Sequence, residues 1–308
     1  MVSRAERPLS RRFEGVFAAL TTPFIGEDIA VKKFRENIAR YNGTELAGYV
    51  VLGSTGEAVY LSDEEAERLA SEARASASPG KVIIAGASKE STKLTIAAAN
   101  RMAALGADAV LIKPPHYYKS RMGQAALRDY YLRVADESKI PVIIYNIPQN
   151  TGVAVEPPLT TELSRHLNIA GVKDSSGILA NLAEVRPAAR PGFHFLLGTG
   201  SILLPGLLLG ADGGILAMAA AVPELCVGIY SLFREERLAE ARELQLRLTP
   251  LNKALTQTMG VPAIKYALDV LGFYGGPPRS PLQPLDEAGR SVVRNLLLKL
   301  ELIGADAR

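Results

Sequence analysis

The chain has one cysteine, Cys226, in 308 residues, which leaves no disulfide framework and no multi-cysteine zinc or iron–sulfur site. Cys226 reads as a small buried apolar residue. Its three histidines, His116, His166 and His194, are scattered without the spacing of metal ligands, and no carboxylate cluster converges on them, so no metal is expected. Long apolar runs are missing as well. The best of them, 202–209, is too short and too interrupted by Pro205 to span a bilayer, so no membrane partner is expected. Neither a full G-x-G-x-x-G nor a phosphate-binding P-loop occurs, which argues against nucleotide. Charge of one sign is scarce too. The formal net charge is +3, yet Arg4, Arg7, Arg11 and Arg12 against Glu6 account for all of it within residues 1–12. The rest is balanced, which disfavours nucleic acid and anionic membrane as partners.

What is present is a chain that is 48% apolar and 22% charged, with a mean hydropathy of +0.11, long enough to bury a large core without staples. Residues 1–12 read as a flexible basic tail. They lack the apolar centre of a secretion signal, so a frayed terminus is expected rather than an address, and the cytoplasm is the expected location.

One pattern then repeats. Short β-favouring runs occupy 13–20, 48–53, 81–87, 108–113, 141–147, 169–174, 193–197 and 213–217. They are nearly continuous in apolar residues, as parallel strands covered on both faces require. Helical signals separate them. Ser62 and Glu65 have capping-box spacing, a second helix starts near Ser91 and stops at Gly106, and a third runs from about Gly123 to Glu137. Eight such units predict a (β/α)8 barrel, an α/β fold, over 13–230; a doubly wound sheet would seldom need eight. Stretches 232–248, 251–271 and 285–302 then form a C-terminal helical extension over 231–308, packed on the barrel.

In such a barrel the reactive groups lie at the C-terminal ends of the strands. Strand one ends in Thr21-Thr22-Pro23, strand two in Gly53-Ser54-Thr55-Gly56-Glu57, strand five in Tyr145-Asn146, and strand six in Lys173-Asp174-Ser175-Ser176; Gly198-Thr199-Gly200-Ser201 follows strand seven. Lys173 stands out because it ends the apolar run Ile169-Ala170-Gly171-Val172. Burying an amine is costly unless it is paired. The plainer reading is a salt bridge to Asp174 or Glu57; the chemical one is a nucleophile that forms an imine with a carbonyl substrate. Tyr145, on the adjacent strand, could move the protons that imine chemistry requires, or be an ordinary core tyrosine. The Ser54-Thr55 turn offers hydroxyls and backbone N–H groups to a carboxylate or phosphate. The glycines around Gly198 would let backbone approach a small ligand.

Taken together, Gly53-Ser54-Thr55-Gly56-Glu57, Tyr145-Asn146-Ile147-Pro148 with Thr151-Gly152, and Gly171-Val172-Lys173-Asp174-Ser175-Ser176 resemble the dihydrodipicolinate synthase/N-acetylneuraminate lyase family of pyruvate-dependent class I aldolases. The resemblance spans about 13–302. It implies a Schiff base between Lys173 and pyruvate, proton relay by Tyr145, a pyruvate carboxylate held by Ser54 and Thr55, no cofactor beyond the covalent imine, and a homotetramer. It further implies that Ser175 contacts the distal part of the substrate and that Tyr118 completes the proton path across a subunit interface. Family members that condense pyruvate with aspartate semialdehyde carry arginine at the position of Asn150, a residue that grips the aldehyde's carboxylate; a neutral amide cannot make that bidentate pair. Asn150, Glu90-Ser91-Thr92, Tyr117-Tyr118 with Arg121-Met122, and Gly272-Phe273-Tyr274-Gly275-Gly276-Pro277 resemble the 4-hydroxy-2-oxoglutarate aldolase subgroup, whereas Thr55 matches the synthases. The expected activity is therefore cleavage of 4-hydroxy-2-oxoglutarate, or a similar 2-oxo acid, to pyruvate and an aldehyde such as glyoxylate. The alternative is 4-hydroxy-tetrahydrodipicolinate synthesis from pyruvate and aspartate semialdehyde. A phosphosugar isomerase, or an idle barrel that merely binds a 2-oxo acid, would have no use for both Lys173 and Tyr145.

Overall fold

In a computed structural model of the chain, residues 13–304 are described, so the expected tail over 1–12 lies outside them. Eight parallel strands close into a barrel: β1 (Gly15–Ala19), β2 (Gly48–Val51), β3 (Val82–Gly86), β4 (Ala109–Ile112), β5 (Val142–Asn146), β6 (Ile169–Asp174), β7 (His194–Leu197) and β8 (Gly213–Leu216). Each pairs with its sequence neighbours, and β8 pairs with β1 to complete the ring. All eight lie within or on the runs expected from the sequence.

Alternation of side chains across each strand divides the core in two. Phe17, Val50, Ile84, Leu111, Ile143, Leu196 and Ile215 fill the barrel interior. Val16, Tyr49, Ile83, Val110, Ile144, Val172 and Phe195 point outward into the layer of helices. Both faces are therefore apolar, which explains the unbroken apolar runs. Each such side chain contributes about 1.5–3 kcal/mol by leaving water, and Phe17→Ala would cost about 3–5 kcal/mol through the cavity it leaves.

The pairing of β5 with β6 carries one irregularity. Val142 sits opposite Ile169, but Ile143 sits opposite Gly171, so Ala170 is an extra residue on β6. Beyond this bulge Tyr145 is level with Lys173 and Asn146 with Asp174.

Eight helices alternate with the strands and form the outer ring. The helix Asp63–Ser76 opens with the full capping box: Glu65 N–H donates to Ser62 Oγ at 3.2 Å, and Ser62 N–H to Glu65 Oε2 at 2.9 Å. Thr92–Ala104 is capped by Ser91, which accepts from Leu94 N–H. Gly123 precedes Gln124–Glu137.

At the C-terminal end the boundaries differ from expectation. The eighth barrel helix, Pro223–Arg234, crosses the expected 230/231 division, and Leu238–Asn252 begins only after a turn in which Glu236 has φ of 60°. Nor does the chain break before Leu251. Pro250 lies inside Leu238–Asn252, which widens into a π-helical turn over Lys253–Thr258, and the break falls at Gly260 with φ of 67°. A proline removes one helical N–H and crowds the preceding turn, so the helix adjusts locally instead of ending. Val261–Val270 and Glu287–Lys299, the latter capped by Asp286, complete the extension.

Candidate active site

At the C-terminal rim of the barrel, Lys173 and Tyr145 project side by side from β6 and β5. Lys173 is 4% exposed and Tyr145 5%. The amine lies 4.1 Å from the centroid of the tyrosine ring. No carboxylate among the described residues forms an ion pair with Lys173, and both candidates for that role are engaged elsewhere. Asp174 accepts from Ser176 N–H at 2.7 Å, Asn181 Nδ2 at 2.9 Å and Asn146 Nδ2 at 3.3 Å. Glu57 pairs with Lys265, Nζ to Oε1 2.5 Å, and accepts from Arg279 N–H. The salt-bridge alternative for Lys173 is thereby set aside: its amine lies against the aromatic face of Tyr145.

Tyr145 links this pair to the turn after β2. Its hydroxyl is 3.4 Å from Ser54 Oγ. The turn itself is tight: Gly56 and Glu57 N–H return to Gly53 and Ser54 carbonyls, and Thr22 Oγ1 donates to Gly56 C=O at 2.7 Å. Leu52 and Glu57 both adopt positive φ, 59° and 56°, which L-residues adopt only under constraint. Leu52 also lies against Gly86, where an added Cβ would come within 1.9 Å of its carbonyl oxygen. Thr55 is buried, and no acceptor among the described residues bonds the N–H of Ser54 or Thr55. Two amides and a hydroxyl near a tyrosine OH are the kind of donors that suit a carboxylate.

A cavity of about 670 Å³ opens from Tyr145 and Ser54 and runs outward past Leu111, Lys113 and His116 between the second and third barrel helices. Lys173 is not part of its wall; Tyr145 is. Farther out, His116 Nδ1 is 2.8 Å from Glu90 Oε1 and 3.1 Å from Lys113 Nζ. Burial lowers the Lys113 pKa. For Glu90, burial acts to raise the carboxyl, but the amides of Tyr117 and His116 and the flanking cations outweigh it and hold it below its ordinary value.

The other expected residues sit at different distances from this centre. Ser175 follows Lys173 on the rim, half-buried, its N–H donating to Asn146 C=O. Gly198 packs against it: a Cβ there would lie 1.9 Å from Ser175 Oγ. The close approach that Gly198 permits is thus to Ser175. Asn150 is exposed on the single helical turn Pro148–Thr151. Tyr118 is 71% exposed and stands edge-on to Tyr117, their centroids 5.1 Å apart. Two residues that the sequence reading passed over, Lys265 and Arg279, reach the site's turn from the extension. A lone lysine in the apolar helix Val261–Val270 is the same signal that marked Lys173, and it would have found Lys265.

No group of three or more His, Cys, Asp or Glu among the described residues could hold a metal ion, and none of their helices is long and apolar enough to cross a membrane. A closed eight-stranded barrel with its reactive side chains gathered on the C-terminal rim defines a (β/α)8-barrel enzyme. Residues 12–300 match the dihydrodipicolinate synthetase family. The chain belongs to that family and is a carbon–carbon lyase of the aldolase type. It is 33% identical over 299 residues to a 4-hydroxy-tetrahydrodipicolinate synthase of Methanothrix thermoacetophila, covering 96% of this chain and all of the relative. It is 36% identical to the enzyme of that name from Archaeoglobus fulgidus, over 94% of this chain and 99% of the relative. Among solved structures, a dihydrodipicolinate synthase from Thermotoga maritima superposes with a TM-score of 0.90 at 27% identity, over 95% of this chain and all of the other. These relatives carry the synthase name rather than the aldolase name suggested by Asn150 and Gly272–Pro277.

Proposed function

We propose that the chain forms a Schiff base between Lys173 and pyruvate and joins the resulting enamine to an aldehyde, in the manner of a 4-hydroxy-tetrahydrodipicolinate synthase. The observation that carries this reading is the pairing of a buried amine, free of any carboxylate partner among the described residues, with Tyr145 at its side. The synthase names of full-length relatives support the choice of reaction.

Lys173 Nζ adds to the C2 ketone of pyruvate and water leaves, giving an imine. Loss of a C3 proton from the iminium form yields the enamine: the C3–H pair becomes the C2=C3 bond and the C=N π pair moves onto nitrogen. C3 then attacks the aldehyde carbon, a C–C bond forms, and the new oxyanion takes up a proton. Attack on the imine carbon by water, or by an amine of the aldehyde substrate, frees Lys173. Tyr145 carries the protons of these steps, and the Ser54–Thr55 turn holds the pyruvate carboxylate. No metal or organic cofactor enters, because the imine itself stores the charge. Ser175 meets the distal part of the substrate. The assembly we propose is a homotetramer in which the exposed Tyr117–Tyr118 pair meets a second copy and Tyr118 completes the proton path there.

A second reading runs the same chemistry in reverse on 4-hydroxy-2-oxoglutarate. Asn150 favours it, since an exposed neutral amide stands where a carboxylate-binding cation would serve the semialdehyde. Borohydride reduction in the presence of pyruvate tests the shared step: the expected product is a reduced pyruvyl adduct on Lys173, and its absence overturns both readings. Turnover of aspartate semialdehyde against 4-hydroxy-2-oxoglutarate then separates them.

A further inference from the structure

The Ser54–Thr55 turn does not stand alone, and what braces it comes from the opposite end of the chain. Glu57 closes the turn in a left-handed conformation, and its side chain is fully buried. Oε1 lies 2.5 Å from Lys265 Nζ, and Oε2 accepts from Arg279 N–H at 2.8 Å. Lys265 is 1% exposed, more deeply buried than Lys173, and it also donates to Pro277 C=O at 2.8 Å. The Phe24 ring lies against two cations: Lys265 Nζ and Arg279 Cζ are each 4.4 Å from its centroid. The Arg279 guanidinium then forks onto Glu65 at 2.7 Å by two nitrogens and reaches Tyr60 C=O at 2.8 Å, holding the chain immediately after the turn.

The backbone of the extension is shaped around this contact. An added Cβ at Gly275 would fall 1.9 Å from Lys265 C=O, and Asp269 Oδ1 accepts from Gly275 N–H at 2.7 Å. The segment Gly272–Pro277, which the sequence marks but the reaction does not use, therefore builds the socket of Lys265. A left-handed glutamate is strained by itself. Buried and paired, it is fixed.

We propose that Lys265 and Arg279 are positioning residues that set the pyruvate-carboxylate cradle through Glu57, so that the C-terminal extension controls affinity for the 2-oxo acid without touching it. This rests on the reading of the Ser54–Thr55 turn given above. Removing the Lys265 charge leaves Glu57 buried without its cation, and the turn relaxes; the chemistry at Lys173 proceeds once pyruvate is bound.

The test compares Lys265→Met with Asn37→Ala in the full-length protein. Asn37 holds the same segment by exchanging hydrogen bonds with the Tyr274 backbone, but does not reach the turn. In borohydride trapping, Lys265→Met is expected to raise the half-saturating pyruvate concentration about tenfold, with the maximal trapping rate within about threefold of the native protein. Asn37→Ala is expected to lower Tm without moving that concentration. An unchanged half-saturation in Lys265→Met, or an equal rise in Asn37→Ala at matched loss of Tm, overturns the inference. Where Lys265→Met does not fold, Glu57→Gln, isosteric with the native side chain, carries the same expectation and the same refutation. Amide deuterium exchange over residues 52–60 decides the matter without pyruvate: at least tenfold faster exchange is expected in Lys265→Met and none in Asn37→Ala. Native-like exchange in Lys265→Met overturns the inference even if the native protein traps no pyruvate, an outcome that separately refutes the proposed function.

Discussion

Tyr145 and Lys173 are level with one another on adjacent parallel strands, and the lysine amine lies 4.1 Å from the centre of the tyrosine ring. The amine and the phenol are therefore placed by the sheet rather than by a loop, and rigid strands fix their spacing. Lys173→Ala is expected to abolish the borohydride adduct and to lower turnover by about 10³-fold or more, since the proposed imine forms on its amine. Tyr145→Phe is expected to keep the adduct but slow its formation by about 10²–10⁴-fold, the usual worth of a positioned proton carrier. Mass spectrometry of the trapped protein and rapid-quench kinetics measure the two. An adduct at another lysine would remove Lys173 from the mechanism.

Position 150 tests the choice of aldehyde. Asn150 is exposed on a short helical turn, so a longer side chain meets no core there. Asn150→Arg supplies a planar cation, and a charge-assisted pair contributes about 1.5–3 kcal/mol. The ratio of kcat/KM for aspartate semialdehyde over glyoxylate should rise at least tenfold. An unchanged ratio would refute a role for this position in aldehyde selection.

Gly198 tests the packing of the rim. A methyl group at this position would sit 1.9 Å from Ser175 Oγ and 2.7 Å from Ser175 Cα, so the backbone after Lys173 must shift. Gly198→Ala should cost about 1–3 kcal/mol of stability by overpacking, seen as a lower denaturant midpoint at constant slope. A variant as stable as the native protein would show that Ser175 is free to move.

The bracing of the extension has a pH signature. The hydrogen bond from Arg279 holds the Glu65 pKa below its ordinary value of 4.5. A carboxyl lowered on folding contributes stability above its unfolded value, and that contribution is lost as pH falls through the folded value. Glu65→Gln should therefore lower Tm between pH 6 and 8, with the gap to the native protein closing below about pH 4.5. Glu65 is a quarter exposed, so solvent screens the effect and keeps it modest. A gap independent of pH would mean that the pair contributes nothing through charge.

The barrel was legible because parallel strands covered on both faces must be apolar throughout, and runs such as Val142–Tyr145 allow little else. Lys173 was legible for the same reason, as a charge where none is affordable. The extension was harder to read. Pro250 is an ordinary stop signal, yet packing carries the helix through it to Asn252 and puts the break at Gly260. Lys265 carries the same signal, a lone lysine in an apolar stretch, but weaker, because a helix can turn a single charged side chain to solvent where a strand covered on both faces cannot. The partner of Glu57 is separated from it by about two hundred residues, and no local pattern reports such a contact.

The extra residue on β6 has a consequence for how this site can be lost. In an unbroken ladder, Val142 opposite Ile169 would set Asn146 level with Lys173, and the amine would face the helical layer along with Ile169. Ala170 shifts the count by one and turns the lysine inward. Deleting Ala170 would close the bulge and leave Ile143 opposite Gly171 and Tyr145 level with Lys173, whereas flattening the bulge with Ala170 retained would bring Val172 beside Tyr145 while every chemical group in the chain stayed intact. The alignment of the two side chains is in this sense an odd-or-even property of one strand, which loss of the extra residue would leave unchanged and a flattened bulge would reverse.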